Sequence, residues 1–382
     1  MIAFGQWLGV LGGGQLGRMF CMSAHSLGYR VCVLDPDPDS PAGAVAERHI
    51  CAGYSDPDAL AQLAALCRAV TTEFENVPAQ SLQTLERDCA VSPGARAVMV
   101  AQDRRDEKRF ARDCGLEVAP YLTIEQDADL ERVEASMLPA VLKVARLGYD
   151  GKGQARVDRM DALPAAWRSL GQVPCVLEKW LPLACEVSVI VCRGLDRHSV
   201  AYPVAENQHR GGILAATIVP ARIDPALAQQ ACAAAGAMAE RLDYTGVLCV
   251  EFFVLHDGRV LVNELAPRPH NSGHYTIDAC TSSQFDQQAR ILARLPLGDT
   301  HQWAPAVMLN LLGDLWFEQG RPRAPRLDVV AAIPGVRLHL YGKREARPAR
   351  KMGHVTILGT TLQEALARAG EVAAALGLEP PR

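Results

Sequence analysis

The sequence predicts a mixed fold: an open α/β sheet through about the first hundred residues, then an α+β region, then a small C-terminal domain. Three observations predict it. Short apolar strands alternate with helical stretches as far as Phe74. A glycine turn, Gly12-Gly13-Gly14-Gln15-Leu16-Gly17, follows the first strand. Much later, two apolar runs flank His256-Asp257-Gly258, a good hairpin turn.

Each element has a local reason. Residues 9–11 form a short apolar strand, and 18–27 a helix stopped by Gly28. Residues 30–34 form a second strand ending at Asp35-Pro36. Ser55 and Asp56 cap a helix over 58–66, with Pro57 in its first turn. Residues 69–74 form a strand with Glu73 and Glu75 at its carboxyl end. This alternation implies a parallel sheet covered by helices. A charged helix spans 103–114. Strands follow at 140–144, 154–157, 176–179, 186–192 and 199–204. An Ala-rich helix covers 226–242, and the hairpin strands cover 246–255 and 259–265. From about 295 onward Pro and turns are frequent, with strands at 336–341 and 354–358 and a terminal helix at 361–376. Internal repeats and low-complexity linkers are absent.

Composition narrows the function classes. The 382 residues suggest two or three domains of roughly 150 residues. Hydrophobic residues at 49% and charged residues at 21% match a globular chain rather than a disordered one. A net charge of −4 argues against a general nucleic-acid or anionic-membrane binder. The least charged stretch, 225–239, is short of the ~20 apolar residues that span a bilayer. The start of the chain shows no secretory pattern. The 12 cysteines include no C-x-x-C pair, which points to reduced, mostly buried thiols in a cytoplasmic protein.

Five constellations carry chemistry. Gly12-x-Gly14-x-x-Gly17 after a strand suits phosphate at a helix N-terminus, and Asp35 follows at nearly the spacing of a ribose ligand. That leaves open a dinucleotide site or a plain glycine turn. Lys143 precedes Gly148-Tyr149-Asp150-Gly151-Lys152-Gly153, a loop able to fold over a triphosphate, or a mere flexible hairpin. Glu251 and Glu264 sit in apolar strands joined by the tight turn, so pairing brings them near each other. Neighbouring buried carboxylates need a cation or protons, and Mg²⁺ bridging ATP phosphates meets that need. The alternative is a pair of outward-facing acids on an edge strand. Ala266-Pro267-Arg268-Pro269-His270-Asn271-Ser272-Gly273-His274 is stiff and rich in polar groups, which suits an anion-binding loop better than zinc. Finally Lys343, Arg344, Arg347, Arg350 and Lys351 cluster in an otherwise acidic chain, as a phosphorylated substrate or a solvated loop would require.

Together these segments resemble the ATP-grasp superfamily, and within it the N5-carboxyaminoimidazole ribonucleotide synthetase family. The resemblance rests on Leu11-Gly-Gly-Gly-Gln-Leu-Gly-Arg18, Thr72-Glu-Phe-Glu-Asn-Val-Pro78, Gln102-Asp-Arg104, Gly148-Tyr-Asp-Gly-Lys-Gly-Gln154, Asn263-Glu-Leu-Ala-Pro-Arg-Pro-His-Asn-Ser-Gly-His274 and Arg350-Lys-Met-Gly-His354. They run in family order over nearly the whole chain. The chain departs from the family's usual residues at Leu265 and Trp180.

The resemblance implies an ATP-grasp fold with a Rossmann-like N-terminal domain over 1–101, an ATP-grasp domain over 102–296 with a mobile lid near 140–204, and a C-terminal domain over 297–382. It implies an ATP-dependent C–N ligase of purine biosynthesis. Such an enzyme joins bicarbonate, activated as carboxyphosphate, to aminoimidazole ribonucleotide. Carried over residue by residue, Glu251 and Glu264 bind Mg²⁺, with Asn271 assisting. Arg104, Lys143, Asn263 and Glu264 serve ATP, and the lid loop Gly148, Tyr149, Asp150, Gly151, Lys152, Gly153 and Gln154 closes over it. Glu178, Lys179, Trp180 and Leu181 form the adenine hinge; Glu186 takes the ribose, with His209 nearby. Arg268, His270 and Asn271 hold bicarbonate and carboxyphosphate, joined by Tyr149 and Asp150, with Asp150 accepting the amine proton. Gln15, Leu16, Glu73, Glu75, Lys343, Arg350 and Lys351 bind the ribonucleotide. A homodimer is implied, with neither nucleic acid nor membrane as partner. The readings set against it are a formate-dependent glycinamide ribonucleotide transformylase, a biotin carboxylase, an NAD-dependent dehydrogenase and a non-catalytic nucleotide-binding regulator.

Overall fold

The computed structural model describes residues 1–148 and 152–382. Its first hundred residues form a five-stranded parallel sheet in the order 48–50, 30–34, 7–11, 69–72, 90–91. Trp7–Leu11 and Ala69–Thr72 run through the middle and are buried on both faces, as crossover helices demand. Helix Gln15–Ser26 starts at the glycine turn, three residues earlier than the sequence predicts. Helix Pro57–Leu66 begins as expected, with the Asp56 carboxylate accepting from the amides of Asp58 and Ala59.

Beyond this sheet the chain builds two antiparallel ones. A small sheet runs in the order 121–124, 175–179, 140–144, 154–157, packed on Trp167 of helix Leu163–Ser169. The large sheet runs 260–266, 246–255, 183–193, 205–210, 213–219, 306–312, 351–358, 336–340, with 199–201 paired to 183–193. Helix Pro225–Arg241 lays Ala231, Ala235 and Met238 against Val187, Val189, Leu248 and Val250. The stretch weighed above as a membrane candidate is therefore a core-packing helix. Among the described residues no helix is long and apolar enough to cross a membrane.

The structure bears on three expectations here. The expected lid range of 140–204 crosses two sheets: the small sheet spans 121–179, whereas Leu183–Arg193 and Ser199–Ala201 belong to the large sheet. Between the two lies Trp180-Leu181-Pro182, which belongs to neither helix nor strand. Secondly, residues 202–204 lie beyond the strand that begins at Ser199. Thirdly, strands of the expected C-terminal domain join the large sheet, with Ala306–Leu312 paired to Ile213–Val219. Helix Leu362–Leu376 then covers that end through Ala365, Ala369 and Val372.

Helix Gln284–Leu292 joins the parallel sheet to the rest. Ala289 and Leu292 pack with Leu8, Phe20 and Val31, and the Gln288 amide donates to Thr71 Oγ1 at 3.0 Å. The carboxyl edge of the parallel sheet is thereby fixed against the large sheet. All twelve cysteines are free thiols, and Cys51 alone among them is exposed.

Candidate active site

A cleft of about 780 Å³ opens where the three sheets meet. It is lined by Gln15, Leu16, Glu73 and Glu75 from the parallel sheet, and by Lys143, Gln154, Glu178, Lys179, Trp180 and Leu181 from the small sheet and hinge. The large sheet contributes Glu186, His209, Glu251, Asn263, Glu264, Arg268, His270, Asn271 and Lys351. Arg104 enters from the N-terminus of helix Arg104–Asp113.

The two acids of the hairpin meet as its pairing requires. Glu251 and Glu264 are direct cross-strand partners, and the next pair is Phe252 with Val262. Asn263 is thus an extra residue, a β-bulge, and both Asn263 and Glu264 turn to the cleft. Phe252 and Val262 point into the core. Burial and the adjacent Glu264 raise the Glu251 carboxyl to about 7. The Glu264 side chain is 40% exposed against 15% for Glu251, and Arg104 Nη1 lies 3.1 Å from its Oε2.

Behind Glu264 is a carboxyl that the sequence reading passed over. Glu107 is fully enclosed and accepts from the Leu265 amide. Burial, reinforced by Glu264, raises it to about 8. Lys108, equally overlooked, places Nζ 2.5 Å from Glu178 Oε2, while Lys143 Nζ lies 3.1 Å from Glu178 Oε1. Burial opposes the Glu178 charge, but the two lysines outweigh it and hold the carboxyl down at about 2. Burial also draws the Lys143 ammonium below its usual range, against the pull of Glu178. The available signal was the stripe Arg104, Glu107, Lys108 and Ala111, the helix spacing of a buried face with three charges on it.

The segment expected to be the adenine hinge is held by backbone hydrogen bonds. The Lys179 amide donates to Pro120 O at 2.9 Å and the Trp180 amide to Pro139 O at 2.8 Å. Trp180 is half exposed, with the Arg156 guanidinium 4.8 Å from its ring centroid. Across the cleft, His209 Nδ1 lies 3.1 Å from Glu186 Oε2. Burial disfavours the His209 imidazolium, but Glu186 and Glu251 prevail and raise its pKa.

The glycine turn is filled by the chain itself. The Gly13 amide donates to Asp35 Oδ2 at 2.6 Å, the Gly17 amide to Glu73 Oε2 at 2.7 Å, and the Gly14 amide to Glu73 Oε1. Tyr54 Oη also donates to Asp35 Oδ2 at 2.6 Å. The amides that would hold a dinucleotide pyrophosphate, and the acid that would hold its ribose, are engaged with each other. This removes the physical basis of the dehydrogenase reading. A Cβ on Gly14 would lie 2.5 Å from a Glu73 oxygen, so the glycines make room for this carboxylate.

The remaining predicted residues divide. Arg268 Nε donates to Glu75 Oε2, and both line the cleft. The Asn271 side chain is buried with no hydrogen-bond partner for either polar atom, and Asn263 Oδ1 likewise has none. Lys343 and Arg350 do not line the cleft: Lys343 Nζ donates to Lys351 O and Arg350 Nη1 to Glu345 O, each at 2.7 Å. Gly148 borders a narrow extension of the cleft beside Arg104, Glu107 and Glu264. Lys152 and Gly153 lie outside the cleft wall, where Gly153 O accepts from the Val144 amide. The expectations for Tyr149, Asp150 and Gly151 fall outside the described residues.

Among the described residues no three His, Cys, Asp or Glu side chains converge on one point. A cage for zinc is therefore not formed by His270 and His274. Two carboxylates with neighbouring amide oxygens do fit Mg²⁺, a hard cation that takes one or two carboxylates and fills its shell with phosphate and water. Arg104, Lys143, Arg268 and Lys351 line the same cleft.

Comparison with known proteins covers most of the chain. Residues 6–102 match the ribonucleotide synthetase preATP-grasp domain, 109–285 the ATP-grasp domain, and 306–368 the phosphoribosylaminoimidazole carboxylase C-terminal domain. The N5-carboxyaminoimidazole ribonucleotide synthase of Bacillus subtilis is 41% identical over 93% of this chain and 92% of its own length. That of Brucella melitensis is 43% identical over 92% and 96%. Among solved structures, the N5-carboxyaminoimidazole ribonucleotide synthetase of Thermus thermophilus superposes with a TM-score of 0.90 at 37% identity, covering 98% of this chain and 100% of the other. The Aspergillus clavatus enzyme, in complex with ADP and 5-aminoimidazole ribonucleotide, gives 0.89 at 32% identity, covering 98% and 99%.

Proposed function

The chain belongs to the N5-carboxyaminoimidazole ribonucleotide synthase family of ATP-grasp ligases, and from that premise we propose how its cleft performs the reaction. It is an ATP-dependent enzyme of purine biosynthesis that acts on aminoimidazole ribonucleotide. The observation that carries the assignment is the continuity of the cleft. One cavity is lined by the hinge, the Glu251–Glu264 pair, the Arg268–Asn271 loop and Lys351.

At the nucleotide end, Lys179 and Leu181 offer backbone groups to adenine, and Glu186 with His209 faces the ribose. Lys143 and Arg104 meet the phosphates. Glu251 and Glu264, with Asn263 and Asn271 beside them, would hold Mg²⁺. The bound ion would neutralise phosphate charge and orient the terminal phosphoryl group. Bicarbonate is a poor electrophile because its carbon carries an anionic oxygen. Attack of a bicarbonate oxygen on the γ-phosphorus breaks the bond to ADP and forms carboxyphosphate, a mixed anhydride. Arg268, His270 and Asn271 position that anion. Breakdown releases carbon dioxide and phosphate beside the amine. The amine nitrogen forms the new C–N bond and loses one proton, which by motif match goes to Asp150, with Tyr149 beside it.

At the other end, Gln15, Leu16, Glu73, Glu75 and Lys351 enclose the ribonucleotide. Lys343 and Arg350 lie just beyond and approach its phosphate. The lid loop, Gly148 to Gln154 in the motif, closes over the phosphates and keeps water from carboxyphosphate. The enzyme is assigned as a cytoplasmic homodimer; light scattering on a sizing column showing a monomer at working concentration would refute the dimer. The substrate test compares acceptors. Phosphate release from MgATP should be stimulated by aminoimidazole ribonucleotide with bicarbonate, and not by glycinamide ribonucleotide with formate or by biotin. Stimulation by either of those instead overturns the assignment.

A further inference from the structure

His270 sits in a hydrogen-bonded chain whose direction can be read from one donor. The Ser272 amide donates to His270 Nδ1 at 3.3 Å, and a backbone N–H has no other role than donor. Nδ1 is therefore an acceptor, and the ring proton is on Nε2. Ser272 Oγ lies 2.8 Å from the same Nδ1, so its hydroxyl donates there too. Ser188 Oγ lies 2.7 Å from Ser272 Oγ and donates in turn. Both serines are completely buried, so water does not compete for these contacts. At the far edge of the ring, Nε2 lies 3.1 Å from Glu251 Oε1 and faces the cleft.

From this geometry we infer that Ser272 and Ser188 are positioning residues that hold His270 as its Nε2–H tautomer, a neutral hydrogen-bond donor toward the reacting anion. The inference rests on the assignment of His270 to the bicarbonate end of the cleft. It has a chemical consequence. With two donors already on Nδ1, His270 has no vacant lone pair facing the substrate, so it does not take the amine proton. It supplies an N–H to an oxygen of bicarbonate or carboxyphosphate, where Arg268 supplies charge. Ser188 is contributed by the strand paired to Glu251 itself, Ser188 being its cross-strand partner. One pair of strands therefore fixes both the carboxylate and the ring beside it.

The test is nitrogen NMR on protein labelled at the histidine ring nitrogens, with steady-state kinetics alongside. Wild type should show His270 protonated at Nε2 and unprotonated at Nδ1. In Ser272→Ala, which keeps the backbone amide but loses the hydroxyl donor, the unprotonated Nδ1 resonance should move further from the protonated range, and kcat for ribonucleotide-dependent ADP formation should fall roughly tenfold, the low end for lost outer-shell partners. KM for ATP should stay within about twofold, since the nucleotide end is untouched. Ser272→Thr, which keeps the hydroxyl, should restore both signals, and Ser188→Ala should give a weaker form of the same change. An Nδ1–H or imidazolium signal in wild type overturns the inference. So does a Ser272→Ala protein with wild-type spectrum and wild-type kcat. The resonance is read without substrate, so failure of the carboxylation assay alone would count against the functional assignment and not against the tautomer.

Discussion

Glu251 and Glu264 stand directly opposite each other across the strands Gly246–Leu255 and Val260–Ala266, and the bulge at Asn263 turns both toward one cleft. Two carboxylates so placed repel, and that repulsion is what a divalent cation relieves. Replacing Glu264→Gln should reduce ATP turnover by at least ~100-fold, the scale for loss of one electrostatic contact to a transition state. The melting temperature should hold or rise, because a like charge is gone. Retained turnover would remove Glu264 from the metal site.

Cation binding should also expel a proton. With Glu251 raised from 4.5 to about 7, the carboxyl is largely protonated at pH 6. Calorimetry of MgADP binding at that pH, in buffers of different ionisation heat, should show proton release that disappears by pH 8.5. The same raised group contributes stability below its ordinary pKa and loses it as pH rises through about 7. The metal-free protein should therefore weaken over that interval, and MgADP should recover more at its upper end. Absence of proton release at pH 6 contradicts the pairing.

Glu178 behaves in the opposite sense. Lys108 and Lys143 hold it at about 2, below its ordinary 4.5. Its contribution is complete above pH 4.5 and lost as pH falls toward 2. Glu178→Gln should cost about 3 kcal/mol at neutral pH, because it leaves buried lysines without their carboxylate. The variant should also show a flatter acid limb between those pH values. Denaturant melts across the acid range check both; a steep acid limb in the variant would place the linkage elsewhere.

The glycine turn should reject a dinucleotide. Asp35 and Glu73 already occupy its amides, so fluorescence titration with NADH should show no saturable binding at millimolar concentration. Glu73→Ala should lower stability by roughly 1–3 kcal/mol, the cost of orphaned buried donors, without creating NADH affinity. Saturable binding by wild type would reopen the dehydrogenase reading.

Local signals made much of this legible. Strand–helix alternation announced the parallel sheet, and His256-Asp257-Gly258 announced the hairpin that brings Glu251 to Glu264. What depended on distant partners was not legible. The strand Ala205–Arg210 is polar along its length, since His209 turns to the cleft while Glu206 binds Arg222, so no apolar alternation marks it. Glu107 and Lys108 lie in what reads only as a charged helix, yet Glu107 accepts from the Leu265 amide and Lys108 pairs with Glu178, far along the chain. Glu73 fills the glycine turn from 56 residues beyond Gly17, and spacing alone could not show that the anion site was already taken. The join of Ala306–Leu312 to the large sheet is equally non-local.

The central claim is that one cleft couples ATP cleavage to carboxylation of an amine. Its most direct test supplies ¹³C-labelled bicarbonate, MgATP and aminoimidazole ribonucleotide together and follows the carbon by NMR. The account predicts a new carbamate resonance, labile to acid, that forms in proportion to the phosphate released and requires all three substrates. Phosphate release without that resonance, or a labelled product without ATP, would contradict it.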